Sequence, residues 1–353
     1  MHIPHAPSYR AFLPSAIVHS TGPHDVGTVR TRLHIRGSDG GRSLVVRLWY
    51  PAGGAPRTMS RLLTLYSRLR HPLWAPVLRG ASLPPTRSKF PLITYVPDTS
   101  ASGGQQDNTY TLANLASHGF ILAAIQNPFA RGRRTENGSD GISQPPPSPH
   151  ERRVRRGVRA ACALLDALED LRPNGPAGAW AGRLDLTRAG ILGYALGGTV
   201  AHASAAVDGR YVAAASLDGP QGAGPLVKVP YLLMLSESSA ETERKSAAGA
   251  DSEQSQFASI RPRSQISSPT SHFIEVTGTR KEHFSDWLII SSLFAGAPKR
   301  SIAMRIRAII DAYTVAFFKT YLQAAPHPLM CVRHSPYPEV RFVESDDSEV
   351  ESP

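Results

Sequence analysis

Cysteine is nearly absent from this chain: there are two, Cys162 and Cys331, in 353 residues. Two thiols so far apart make neither the spacing of a zinc site nor the cross-linking of a small secreted scaffold. No metal is expected, and both thiols are read as free. No apolar run approaches the roughly 18 residues of a membrane-spanning helix. Met1-His2-Ile3-Pro4-His5 is not followed by the basic start and apolar stretch of a secretory signal. A soluble, cytoplasmic protein is the expectation. Lysine is scarce as well, and arginine carries most of a formal charge of +11. The arginines gather at Arg131-Gly132-Arg133-Arg134 and Arg152-Arg153-Val154-Arg155-Arg156 without interleaved aromatics, so no nucleic-acid partner is expected. A solvated surface is the simpler reading of them, and an anionic ligand or lipid surface the other. No internal repeat and no cofactor motif is present.

A chain of this length can bury a sizeable core, and one α/β domain with insertions uses most of it. Its most informative run is Ile191-Leu192-Gly193-Tyr194-Ala195-Leu196-Gly197-Gly198. An apolar strand enters a glycine-flanked turn and leaves as a small-residue helix, Thr199-Val200-Ala201-His202-Ala203. Such an elbow normally presents a nucleophile at its apex. Here the apex is Ala195, which has no oxygen to attack a carbonyl.

The strand Tyr211 to Leu217 then ends in Asp218-Gly219-Pro220. Two further strands follow, Pro230 to Leu235 and His272 to Val276, and the loop after the second carries Lys281-Glu282-His283-Phe284-Ser285-Asp286. The order of nucleophile position, acid and histidine is that of a hydrolase triad. Alone, Asp218 is a turn-former and His283 a surface histidine; jointly, around the elbow, they are expected to pair.

Five stretches carry a family resemblance: Val45-Val46-Arg47-Leu48-Trp49-Tyr50-Pro51, Leu115 to Ala124, the elbow, Leu217-Asp218-Gly219, and Glu282-His283-Phe284-Ser285-Asp286. The closing helix around Tyr313 to Leu322 fits too. Over residues 22–323 the chain resembles the platelet-activating-factor acetylhydrolase branch of the α/β-hydrolases, related in style to dienelactone hydrolases. The resemblance implies a mostly parallel central sheet flanked by helices, with a cap-like insertion. It makes Asp218 the triad acid, His283 the general base and Ala195 a vacant nucleophile site. Leu196 and Thr99 would supply oxyanion amides, and Tyr194 lines the substrate site. The chain departs from that pattern twice more. In place of a His-Gly pair it has Pro97-Asp98-Thr99-Ser100, which puts a carboxylate where an oxyanion should be welcomed. The strand after it ends in Gln126-Asn127-Pro128. Asp98 is read either as a loop cap or as a second acid/base group.

Around this centre, residues 1–27 read as an N-terminal arm, 28–325 as the domain and 326–353 as a tail with a disordered acidic end. Thr28 to Arg36 and Leu44 to Tyr50 alternate as an entrance hairpin. The insertion 57–89 mixes leucines with Arg61, Arg68, Arg70 and Arg79 and suits a cap or a segment lying on an anionic membrane. The cap is the simpler expectation. Residues 131–150 are a polar loop, Glu151 to Leu171 a helix, and 236–271 a surface excursion.

Three functions stay open. A histidine held by a carboxylate works without a serine, so the favoured reading is a repurposed enzyme of lyase, cyclase or isomerase type acting on a lipophilic carbonyl substrate through His283 and Asp218. The second is an inactive relative binding a lipid or partner. The third is an acetylhydrolase-like ester hydrolase in which alanine has replaced a serine at position 195. None calls for a cofactor, and each takes a small lipophilic carbonyl or ester-like molecule.

Overall fold

The computed structural model describes residues 20–35, 43–53, 77–85, 88–98, 108–126, 128, 148–172, 177–219, 226–247, 266, 268, 270–293, 295–332 and 334–343. The strands are β1 (Val26–His34), β2 (Ser43–Pro51), β3 (Leu78–Arg79), β4 (Phe90–Val96), β5 (Ile121–Ile125), β6 (Leu184–Tyr194), β7 (Tyr211–Leu217), β8 (Tyr231–Ser236), β9 (His272–Val276) and β10 (Val340–Phe342). The helices are α1 (Thr109–Ser117), α2 (Pro149–Glu169), α3 (Leu196–Val207), α4 (Glu237–Ala247), α5 (Trp287–Leu293) and α6 (Ala297–Leu322). All ten strands join one sheet in the order β10-β9-β8-β7-β6-β4-β5-β2-β1-β3.

From β5 through β4, β6, β7 and β8 to β9 the pairing is parallel. Parallel strands need crossovers, and crossover helices cover both faces, so the central strands are apolar throughout rather than alternating. Every residue of β5 and β8 is buried. One face packs on α1, α5 and α6, with Leu112, Leu115, Ile309, Tyr313 and Phe317 in the core. The other packs on α2 and α3 through Ala161, Leu164, Leu165, Val200 and Ala201. Each buried leucine there contributes roughly 1.5–3 kcal/mol.

The entrance hairpin forms as expected: β1 and β2 pair antiparallel from Val26 opposite Pro51 to His34 opposite Ser43. Helix α2 starts at Pro149, where a missing N–H costs nothing. Ser148 caps it: its Oγ accepts from the Glu151 amide at 3.1 Å, and its own amide donates to Glu151 Oε2 at 2.6 Å. The arm's last residues are strapped to α1. Thr21 N donates to Asn114 Oδ1 at 2.7 Å and Gly22 N to Ser117 Oγ at 3.0 Å. A side chain on Gly22 would meet the Ser117 carbonyl oxygen at 2.2 Å.

Two expectations need correction. The chain beyond 325 is not all tail, because β10 adds an antiparallel edge beside β9, and Arg305 ties it down through Glu339 at 2.9 Å. Strand β6 carries an irregularity near its start. Its register against β4 jumps from Pro91 opposite Asp185 to Leu92 opposite Ala189, as Asp185 bonds locally to Thr187 and Arg188. The excursion begins with a buried strand end, Ser236, and a helix, α4. Ile302 is 59% exposed near the start of α6. Most of the insertion (57–76), the loop 131–147, the excursion 248–265 and the acidic end 344–353 lie outside the described residues.

Candidate functional site

The elbow at the end of β6 is closed by backbone crowding. A Cβ on Gly193 would stand 1.9 Å from the Gly197 carbonyl oxygen, and one on Gly197 would stand 2.0 Å from that of Val96. Nothing but glycine fits either position. At the apex Ala195 has φ 52° and ψ −121°, a conformation that costs an L-residue on the order of 1–3 kcal/mol. It persists because the surroundings impose it: the Ala195 amide donates to the Leu217 carbonyl at 2.9 Å, and its carbonyl accepts from the Gly198 amide at 2.8 Å. Ala195 is fully buried. The strand-to-helix elbow is therefore held closed around a methyl group.

Asp218 follows β7 directly, also at positive φ (51°), and is 3% exposed. Its Oδ1 accepts from the Ser236 amide at 2.7 Å and its Oδ2 from Ser239 Oγ at 3.0 Å. Burial pushes its pKa up, while the Ser236 and Ser239 bonds and the nearby Lys281 charge oppose that shift. It stands at the carboxyl end of the sheet, beside the elbow, where its position in the chain had placed it.

His283 makes no hydrogen bond to it. The histidine lies in a 3₁₀ turn, Lys281–Phe284, after β9, and its Nδ1 accepts from the Arg280 amide at 3.3 Å. Burial lowers its pKa, with Glu282 opposing and Arg280 assisting. The Asp218 oxygens bond to β8 and α4, and the His283 Nδ1 to its own turn, so the expected acid/base hydrogen bond between them is not made. Within the turn Lys281 and Glu282 are exposed and His283 is half-buried. Phe284 is 1% exposed and anchors the turn to the core.

Lys281 is the residue this geometry brings to the elbow. Tyr194, next to the apex, donates its hydroxyl to the Lys281 carbonyl at 3.1 Å. The Lys281 ammonium lies 3.5 Å from Asp98 Oδ2, and Asp98 Oδ1 accepts the Leu196 amide at 3.4 Å. Asp98 and Leu196 thus come together, but as carboxylate and donor: the amide proposed to stabilise an oxyanion is engaged by an anion of the protein itself. Thr99, the other proposed amide, lies outside the described residues.

The loop is fastened from behind by Asp286. Its Oδ2 accepts from the Thr109 amide at 2.6 Å and its Oδ1 from the Tyr110 amide at 3.3 Å, which caps the start of α1. Arg307 of α6 lies 3.6 Å from Asp286, donates to Asp311 at 2.9 Å and to Thr111 Oγ1 at 2.6 Å, and stacks over Tyr110. Burial drives the Asp286 pKa up to about 6 against the pull of Arg307. Sequence reading passed over Lys281, Asp286 and Arg307. The charged residues of the loop were visible in it, but which of them meets Asp98 was not.

Among the described residues no cluster of ligating side chains could hold a metal ion, and no helix is long and apolar enough to cross a membrane. An open depression of about 440 Å³ lies elsewhere, lined by Thr277, Gly278, Ser301, Ile302, Arg305, Ile306 and Glu339.

The sheet order and the elbow at the end of β6 define an α/β-hydrolase fold. Among solved structures the chain is similar to a ferulic acid esterase from Streptomyces cinnamoneus, with 21% identity, a TM-score of 0.64, and coverage of 92% of this chain and 99% of that one. No family model matches the sequence, and no curated protein matches it.

Proposed function

We propose that this chain is a protein of carboxylic-ester-hydrolase lineage that holds an ester-like or other carbonyl molecule at the elbow without cleaving it through an acyl-enzyme. The observation that carries this reading is the pairing of a strained, intact elbow with a methyl apex. The likeness to an esterase fold supports the lineage. The lyase or cyclase reading depended on a His283–Asp218 hydrogen bond, and the carboxylate and imidazole are engaged elsewhere. An aryl ester such as methyl ferulate, the kind of compound named for the structural neighbour, is a suitable first ligand.

The test is titration calorimetry with methyl ferulate and phenyl acetate, with recovered ester quantified by chromatography. Saturable binding and intact ester support the proposal. Turnover above the buffer rate by the protein as it stands, or no binding of either ester, overturns it.

A second reading, an acetylhydrolase-like ester hydrolase vacated at one atom, is favoured by the apex backbone, which remains set to present a side chain. Under that reading Ala195→Ser acquires an acyl adduct from phenyl acetate, seen by intact-protein mass spectrometry. If no adduct forms, more than the hydroxyl has been lost.

A further inference from the structure

We infer that one face of the sheet edge formed by β1, β2 and β3 is a contact surface for an anionic phospholipid membrane. It is separate from the elbow, with β4, β5 and β2 lying between β6 and β1.

Strand pairing builds the surface. Arg30 of β1 stands directly opposite Arg47 of β2, and Arg79 of β3 stands opposite Thr28 of β1. Alternate residues of a strand share a face, so Arg30 and Arg32 lie on the same side of the sheet as Arg47 and Arg79. Arg47 is half-buried over the Trp49 ring, 5.8 Å from its centroid, while Arg30, Arg32 and Arg79 are exposed. No acid occurs in any of the three strands. Among the described residues, none of the four guanidiniums has an ion-pair partner.

Like charges set opposite one another across a sheet repel. Arg47 registers this: burial, and then the charges of Arg79 and Arg30, hold its pKa below the ordinary arginine value. The arrangement costs the fold stability, and an anionic surface laid across it relieves that cost. Phosphate oxygens suit the forked donors of arginine.

Two observations select a phospholipid surface over other polyanions. The segment joining β2 to β3 is fixed to this edge at both ends, by Gly53 N donating to the Ser82 carbonyl at 2.9 Å and by the pairing of β3 with β1. Its sequence combines Leu62, Leu63, Leu65 and Leu69 with Arg57, Arg61, Arg68 and Arg70 and contains no acid, a composition suited to a headgroup boundary. A nucleic acid, by contrast, would find no exposed aromatic on these strands to stack against, because Trp49 and Tyr50 are buried.

The experiment is sedimentation of the full-length protein with phosphatidylcholine vesicles carrying about 30% phosphatidylserine, and with pure phosphatidylcholine as the control. Binding to the anionic vesicles alone, released by about 0.5 M salt, is expected. Arg30→Glu/Arg79→Glu should weaken it roughly tenfold or more, and Arg30→Gln/Arg79→Gln by a smaller factor. Arg153→Glu/Arg155→Glu makes the same change of charge at exposed positions of α2, on the other side of the sheet, and should weaken binding less than about threefold. Arg30→Glu/Arg79→Glu should also melt no lower than the unaltered protein, since the new carboxylates face Arg47. Absence of binding to anionic vesicles, equal losses in the two charge-reversed variants, or a lowered melting temperature that makes Arg30 and Arg79 structural overturns the inference. Binding to polyglutamate or RNA with none to vesicles overturns it too, by naming a different partner. None of these substitutions touches the elbow, so the ester-binding reading stands or falls on its own test.

Discussion

The two sides of the elbow are built differently. On the β6–β7–β8 side the apex, the acid and Ser236 are buried and fixed by backbone bonds: Ala195 to Leu217, Asp218 to Met234, and the Asp218 carboxylate to the Ser236 amide. On the other side the 3₁₀ turn exposes Arg280, Lys281 and Glu282, and its order comes from behind, through Phe284 and the buried Asp286–Arg307 pair. The buried side keeps the closed strand-to-helix elbow around the methyl group of Ala195. The turn side keeps its anchor and presents Lys281 to Asp98. Packing holds a backbone in place whatever its side chain offers, whereas an exposed side chain is free to change.

The largest effect should come from breaking the anchor. Arg307→Ala leaves Asp286 and Asp311 buried without their cation and should cost about 3–5 kcal/mol in urea unfolding. A loss below about 1 kcal/mol would show that the turn does not depend on the pair. Next, Gly193→Ala forces a Cβ against the Gly197 carbonyl and should cost about 3 kcal/mol or more, read as a lowered melting temperature. Removing a half-buried bond to the acid is milder: Ser239→Ala should cost about 1 kcal/mol. The smallest change belongs to the exposed side, where His283→Ala should stay within about 0.5 kcal/mol and leave ester binding unchanged. Lost ester binding in that variant would restore the histidine to the site and erase the contrast.

The same comparison has a pH signature. The Asp286 pKa is raised in the fold to about 6 from an ordinary 3.8, so the folded state holds its proton more tightly than the unfolded chain. Its contribution to stability is fully present below about pH 3.8 and is lost as pH rises through about 6. The stability difference between the unaltered protein and Asp286→Asn should therefore be larger at pH 4.5 than at pH 7. An unchanged difference would mean the carboxyl titrates as if in water.

The buried side was legible in the amino-acid sequence because its requirements are steric. Gly193, Gly197 and Gly198 between an apolar strand and a small-residue helix leave few alternatives, and the acid follows at the next strand's end. The turn side was not legible. Choosing between Lys281 and His283 needs the contacts of Lys281 with Asp98 and Tyr194, which residue type does not reveal, and a histidine drew the eye by its chemical reputation. Ser236 and Ser239 were hidden in a polar stretch that resembles surface. The short strand Val340–Phe342 was hidden by the acidic run that follows it. In each case a contact distant in sequence decided what local composition left open.

The central claim is that the elbow holds carbonyl compounds without covalent chemistry. It is tested most directly by incubating the unaltered protein with phenyl acetate and weighing it intact by mass spectrometry, while calorimetry reports binding on the same sample. The account predicts saturable binding, an unchanged protein mass and ester recovered whole; an acetylated protein or steady release of phenol would contradict it.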